Sequence, residues 1–338
     1  MESAGMDNCY CPYCGVEHEI TNTTSDEHVV PYALGGADDL TITTCARSNN
    51  TLGSEVDAPF LNFFPVRSAR FYLGLDSTKG NSPTLDLGGT GWIDGREVSV
   101  SHLISRNRNE FKIAKPTIIK TPKPDGSERW QIHGDPAMVR SIVEGKLRSQ
   151  MRLGKTLTTL DGTILLPENL ESFFAAHETI TPNPSVRITI SPNHLIFIRF
   201  FSKLALAMGH LHFGETFSRS ATAEKLRHQM TANGLEDVTL PGAIWPETGA
   251  VKHILRIFAE KDRHVIAITD AVPPVLLVSL FGEYDAFLPL GELAEGTYPT
   301  AARDGTIWRI ELPSRKLSKL SLSDLVAERF QQAGRRAE

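Results

Sequence analysis

Cys11-Pro-Tyr-Cys14-Gly15, Asp26-Glu27-His28-Val29-Val30-Pro31-Tyr-Ala-Leu34-Gly35-Gly36 and Cys45-Ala-Arg-Ser48-Asn49-Asn50-Thr-Leu-Gly53 all fall within the first sixty residues. Two cysteines separated by two residues form a knuckle. An acid and a histidine stand side by side, followed by an apolar step and a proline that stops regular strand pairing. The paired glycines allow backbone angles that other residues resist, so Leu34-Gly35-Gly36 reads as a turn. A third cysteine, Cys45, runs into an asparagine-rich segment. Ser48 and Asn49 are residue types that cap helices, which predicts a helix start there.

The rest of the chain bounds what this cluster serves. The 338 residues suffice for two or more domains with cores of their own, and 41% hydrophobic with 22% charged residues is ordinary globular composition. The most apolar run, Leu195 to Met208, is interrupted by Arg199 and Lys203 and reads as a buried helix and not a membrane span. The first residues, Met1-Glu2-Ser3-Ala4-Gly5, have neither the basic start nor the apolar core of a signal peptide, and a cytoplasmic protein is expected. Of the four cysteines, Cys9, Cys11 and Cys14 are closely spaced, which points to metal and not to a disulfide framework.

The net charge of −5 hides an asymmetry. Residues 1–75 carry ten acidic and three basic residues (Arg47, Arg67 and Arg70), whereas residues 101–160 carry twelve basic and five acidic ones. Pro136 to Arg152 reads as a basic helix, and Arg140, Lys146, Arg148 and Arg152 on it are candidate phosphate contacts, with ordinary solvated cations as the competing reading. Hairpins are predicted at Asp94-Gly95, Pro124-Asp125-Gly126 and Asp161-Gly162, each between β-prone runs. Strands are expected at 184–190, Val265–Thr269, Val275–Phe281, Ala286–Leu290 and Trp308–Leu312. Helices are expected at Asn193–His212, Ser220–Ala232 and Ser321–Ala333. The fold class is α+β, with an N-terminal module over 1–75 and a larger mixed region over 76–338, expected to divide again near 170–185.

The cysteine, Glu-His-Val-Val-Pro, Leu-Gly-Gly and Cys-x-x-x-Asn elements together resemble the HNH endonuclease family, over roughly residues 8–62. The resemblance implies a small ββα-metal fold that hydrolyses DNA phosphodiester bonds with a histidine base and one divalent cation, Mg²⁺ or Mn²⁺. It implies His28 as general base, Glu27 as metal ligand and Asn49 as an oxygen ligand, with Asn50 as the alternative if the register slips and Asp57 as a further acceptor. Helix capping competes with metal binding for both asparagines. On a strand Glu27 and His28 face opposite ways, so the roles require a local twist.

Two features depart from the family pattern. Where the family has an asparagine about fifteen residues after the base, this sequence has Leu40-Thr41-Ile42-Thr43, so a threonine or a backbone carbonyl is expected to orient His28. The second cysteine pair is Cys45-x-x-Ser48, so a structural zinc on Cys11, Cys14 and Cys45 needs another fourth ligand, with Cys9 first and His18 second. The reading is therefore a DNA-nicking HNH endonuclease of the kind found in bacterial defence against foreign DNA. Its rivals are a non-catalytic nucleic-acid-binding protein on a degenerate scaffold and an RNA-directed nuclease. Gly88-Gly89-Thr90-Gly91 lacks the lysine of a phosphate loop and reads as a turn; His210, His212 and His228 read as core residues.

Overall fold

The computed structural model describes residues 8–19, 23–75, 85–93, 96–105, 108–159, 161–177, 185–187, 193–239, 242–244, 259–292 and 304–337. The fold is α+β, as expected. In place of a division at residue 75, residues 84–191 form one compact unit, and residues 1–83 and 192–338 together form the other.

The larger unit begins with two small hairpins. β1 (Asn8–Tyr10) pairs with β2 (Glu17–Glu19), and β3 (Thr24–His28) pairs with β4 (Thr41–Cys45). α1 (Ala46–Leu52) follows directly, then a π-turn over Gly53–Asp57, α2 (Ala58–Asn62) and α3 (Phe64–Tyr72). The cap of α1 is Cys45, whose Sγ accepts from the Ser48 amide, so the helix starts two residues before the expected Ser48-Asn49 cap.

The inserted unit holds an antiparallel sheet of β5 (Leu85–Ile93), β6 (Arg96–Ser105), β7 (Arg108–Ile113) and β12 (Ser185–Arg187), in the order β12-β5-β6-β7. The predicted hairpins are present: Ile93 pairs with Arg96, β8 (Thr117–Pro122) with β9 (Glu128–His133), and β10 (Leu157–Thr158) with β11 (Ile164–Leu165). Asp94-Gly95 itself and most of 184–190 lie outside the described residues. Gly88 to Gly91 run within β5 and are not a turn. The basic helix is α4 (Pro136–Arg152), capped by Asp135 and followed by α5 (Leu170–His177).

Back in the larger unit, α6 (His194–Phe213) is followed by α7 (Glu215–Ser218) and α8 (Ala221–Met230). A six-stranded antiparallel sheet completes it, from β13 (Ala243–Ile244), β14 (Arg263–Ile268), β15 (Val275–Leu280), β16 (Tyr284–Pro289), β17 (Thr306–Glu311) and β18 (Lys316–Ser321), in the order β13-β16-β15-β14-β17-β18. α9 (Leu322–Ala337) ends the described chain. The strands are apolar at successive positions because both faces are covered. Ile266, Ile268, Val278, Leu280 and Ile310 point into the core that holds α6. Val265, Ala267, Leu277 and Ile307 point to the other face, where Leu325 of α9 is buried.

Among the described residues the front segment has no core separate from this one. Val29, Leu34, Ile42, Leu52, Val56 and Phe60 join α6 and one sheet face in a single apolar cluster. Phe60 stacks on Phe200 at 3.8 Å between ring centroids and meets Phe197 and Tyr284 edge-on. Each buried ring of this kind contributes about 1.5–3 kcal/mol from surface removed from water. α6 is long and apolar enough to span a membrane by composition, and most of that length is buried inside this core.

The turn after β3 is fastened to the sheet. His264 on β14 is fully buried; its Nε2 lies 2.8 Å from the Leu34 carbonyl, and its Nδ1 accepts from the Phe281 amide. Gly36 leaves no room for a side chain, since a Cβ there would stand 1.8 Å from the Val30 carbonyl oxygen. Burial pushes the His264 imidazole down to about 4, so the folded protein refuses a proton that the unfolded chain accepts near 6.5. Its contribution is complete above the unfolded value and is lost as the pH falls toward the folded one. Urea midpoints are expected to fall between pH 6.5 and 4, His264 accounting for up to about 3 kcal/mol. His264→Gln is expected to flatten that part of the curve, and an unchanged slope would contradict the assignment.

Candidate functional site

The β3–β4 register sets which side chains of the acid-histidine pair can meet a substrate. Glu27 lies opposite Ile42 and His28 opposite Thr41. Alternation along β3 turns Glu27 inward, where it is buried, and leaves the His28 side chain 31% exposed at the strand end. The Nε2 of His28 lies 3.2 Å from Oδ1 of Asp38, an exposed residue of the β3–β4 connection. Tyr32 meets the same imidazole edge-on at 5.7 Å. A carboxylate accepts only, so Asp38 selects the tautomer with hydrogen on Nε2 and leaves the Nδ1 lone pair free to take a proton. The expected orienting threonine or carbonyl is replaced by Asp38. In the sequence only its acidic type, ten residues after His28, marked it.

Glu27 is committed elsewhere. Lys203 comes from the middle of α6 with its side chain 2% exposed, and its Nζ lies 2.5 Å from Glu27 Oε1 and 2.5 Å from Asp57 Oδ2. The Tyr13 ring lies beneath the ammonium, 5.8 Å from it. Burial opposes the charge on Lys203, but Asp57 and Glu27 outweigh it and hold the ammonium above its ordinary value. Two carboxylates facing one ammonium leave a negative charge in excess, and burial raises both carboxyl groups. Asp57 Oδ1 and the Tyr13 hydroxyl are buried without a hydrogen-bond partner.

Asn49 is also engaged. Its amide nitrogen donates to Ser25 Oγ at 3.0 Å and to the Asp26 carbonyl at 3.5 Å, clipping α1 to β3. Asn50 is exposed on α1. Glu27 is bonded to the Lys203 ammonium, whereas Asn49 is held through its amide nitrogen, its side-chain oxygen taking part in none of these bonds.

The cysteines assemble more nearly as expected. The Sγ atoms of Cys11, Cys14 and Cys45 all lie within 4.8 Å of one another, and Cys14 and Cys45 are 3.9 Å apart. Tetrahedral metal–sulfur bonds of about 2.3 Å would put sulfurs about 3.8 Å apart, so the three fit one metal ion. Cys9 does not join them; its Sγ lies 3.9 Å from the carbonyls of Tyr10 and Thr43. His18, opposite Cys9 in the β1–β2 hairpin, puts Nε2 3.2 Å from Cys14 Sγ, and Ser48 Oγ lies 3.1 Å from Cys45 Sγ. His18 thus approaches Cys14, whereas Cys9 does not, and the group of ligand atoms that lie together among the described residues is Cys11, Cys14 and Cys45.

Residues 11–65 match the model of the HNH endonuclease family. No curated protein and no solved structure matches the chain. An HNH endonuclease domain is a nuclease domain, and its segment here holds the histidine, the cysteine cluster and the glycine turn just described.

The four cations of α4, in the other unit, all have partners of their own. Arg140 pairs with Glu171 and lies over the Phe174 ring. Lys146 lies 4.0 Å above the Trp130 ring, which Lys120 also approaches. Arg148 pairs with Glu144 at 3.7 Å, and Arg152 Nε donates to the Arg148 carbonyl at 3.4 Å. Sequence spacing showed the helix but not Glu171 or Trp130, which belong to other elements.

The Lys203 contacts carry a stability prediction. Lys203→Met removes the ammonium and leaves two carboxylates buried together, and breaking a buried pair in this way costs about 3–5 kcal/mol. Chemical denaturation of Lys203→Met is expected to show that loss. Replacing all three, as Lys203→Met with Glu27→Gln and Asp57→Asn, is expected to recover much of it. A single variant as stable as the parent would contradict the arrangement.

Proposed function

We propose that the chain is an HNH endonuclease that hydrolyses DNA phosphodiester bonds, nicking one strand per event because it holds one such site. The observation that carries the reading is the His28–Asp38 pair at the exposed end of an HNH-matching hairpin. His28 Nδ1 takes the proton of a water molecule as that water's oxygen bonds to phosphorus. The bond from phosphorus to the leaving sugar oxygen then breaks, and that oxygen takes a proton from solvent. Asp38 keeps the imidazole in the required tautomer and stabilises the imidazolium that forms. HNH enzymes work with Mg²⁺ or Mn²⁺, and no step is routed through such an ion here, Glu27 being bonded to Lys203.

The second reading, a non-catalytic nucleic-acid-binding scaffold, is favoured by one observation, the capture of Glu27 by Lys203. We further propose that the cysteine cluster holds a structural zinc with His18 as the fourth ligand, supported by the close approach of His18 to Cys14. A cytoplasmic role against foreign DNA rests on the family likeness; equal phage plaque counts on cells carrying the protein and its His28→Ala variant would count against it.

Plasmid nicking with Mg²⁺ or Mn²⁺, and with EDTA, decides between the two readings. His28→Ala is expected to lower the nicking rate about a hundredfold or more while the fold persists. Asp38→Asn is expected to give a smaller loss. Nicking at the parent rate by His28→Ala would remove the base, and no nicking by the parent would favour the scaffold. Elemental analysis of the same preparation is expected to find about one zinc per chain, as one tetrahedral site requires, and less in His18→Ala. A folded, zinc-free protein would reject the metal site.

A further inference from the structure

We propose that the β8–β9 hairpin of the inserted unit is a DNA-reading ribbon, whose open face enters the major groove with Arg129 and Gln131 on base edges. This rests on the nuclease reading for the choice of DNA, and it names the element that grips and selects the substrate.

The need for such an element is electrostatic. The first 75 residues carry ten acidic residues against three basic ones, so the segment that carries His28 repels a phosphate backbone. Residues 101–160 carry twelve basic residues against five acidic ones, but the four cations of α4 are taken up by Glu171, Trp130, Glu144 and a carbonyl. The stretch 115–133 adds Lys115, Lys120, Lys123 and Arg129 against Asp125 and Glu128. Both acids are turned to the hairpin itself. Glu128 accepts from Trp130 Nε1 at 3.0 Å and faces Lys120, while Asp125 accepts from the Ser127 amide and hydroxyl.

The ribbon has one braced face and one open face. It pairs with no third strand among the described residues. Residues paired opposite each other share a face, so Lys120 and Trp130 lie on one side and Thr121 and Arg129 on the other. Lys146 of α4 stands over the Trp130 ring at 4.0 Å, which puts α4 on the first side. At the base, a Cβ on Gly134 would stand 3.1 Å from Val139 of α4 and 3.3 Å from Pro116, so the ribbon is packed against the helix. At the tip the Lys123 amide donates to the Ser127 carbonyl at 2.8 Å, and Gly126 takes a φ of +80°. On the second side Thr121, Arg129 and Gln131 are exposed, and none of the three side chains makes a hydrogen bond, ion pair or ring contact with any described residue.

The dimensions match one groove. The strands stand about 4.8 Å apart and run about 20 Å. The major groove, about 12 Å wide, admits such a ribbon, and the minor groove, about 6 Å wide, does not. Arg129 and Gln131 alternate along β9 and so stand about 6.8 Å apart, the length of two base steps of about 3.4 Å. A guanidinium fork matches O6 and N7 of guanine, and a glutamine amide matches N6 and N7 of adenine. Lys115, just before β8, and Lys123, at the tip, are exposed and supply phosphate contacts that fix the ribbon in place.

The test measures binding apart from cleavage, with the whole chain in EDTA. Selection from a pool of duplexes of randomised sequence is expected to return sites in which a guanine and an adenine recur two steps apart on one strand. Arg129→Ala is expected to lose the guanine preference and Gln131→Ala the adenine preference, each binding the selected duplex about tenfold more weakly by fluorescence anisotropy. Replacing that guanine by 7-deazaguanine, which lacks the N7 acceptor, is expected to weaken binding of the parent several-fold and to leave Arg129→Ala unaffected. Thermal unfolding checks that both variants remain folded. Parent selectivity retained in folded Arg129→Ala and Gln131→Ala overturns the inference. So does a parent indifferent to 7-deazaguanine, one that binds a pool of single-stranded RNA more tightly than the duplexes, or one that binds no duplex. A parent that reads DNA in the expected way but does not nick plasmid with Mg²⁺ or Mn²⁺ overturns the nuclease reading and leaves the hairpin contact standing.

Discussion

The ammonium of Lys203, buried between Glu27 and Asp57, is the interaction on which the larger unit turns. It joins a strand near the start of the chain, the π-turn after α1 and the middle of α6. Burial makes each charge costly by itself, so each is tolerable only while the other two are present. The front segment, with its hairpins and cysteine cluster, is therefore committed to a helix that begins more than a hundred residues later. The aromatic stack of Phe60 on Phe200 repeats that commitment in apolar form, and the His264 bond to Leu34 repeats it from the sheet.

This arrangement also decides what is left for chemistry. Alternation along β3 sends Glu27 to Lys203 and His28 to the surface, so the acid and histidine of the motif do different jobs. One anchors the strand. The other is left partly exposed at the strand end with Asp38 on one ring nitrogen. The local twist that would have let both serve one cation is not made. Support for the turn also comes from outside the motif, since His264 of the C-terminal sheet bonds the Leu34 carbonyl.

What the sequence made legible follows from the range of each interaction. The cysteine knuckle, the strand ending at His28, the basic helix at Pro136–Arg152 and the buried α6 all rest on patterns within a few residues, and each is present. Lys203 was visible only as an interruption of an apolar run; its partner Glu27 is 176 residues away in sequence. Asp38 carried no local pattern that tied it to His28. The side-chain directions of Cys9 and His18 were likewise set beyond local spacing. Cys9 is close to Cys11 in sequence, but the β1–β2 register sends its sulfur toward carbonyls and brings His18 to Cys14. The cations of α4 were read as one basic face, yet Glu171 and Trp130, from other elements, take up Arg140 and Lys146.

The HNH-matching front segment, α6 and the C-terminal sheet form one cooperative body through these contacts. Native-state hydrogen exchange tests it most directly. The amides of Ile42 and Thr44 in β4, and of Ile266 and Val278 in the six-stranded sheet, are expected to exchange through the same opening, with one free energy and one denaturant dependence. Lys203→Met is expected to lower all four together. Ile42 and Thr44 exchanging through a smaller, separate opening, with Ile266 and Val278 unaffected by Lys203→Met, would contradict the account.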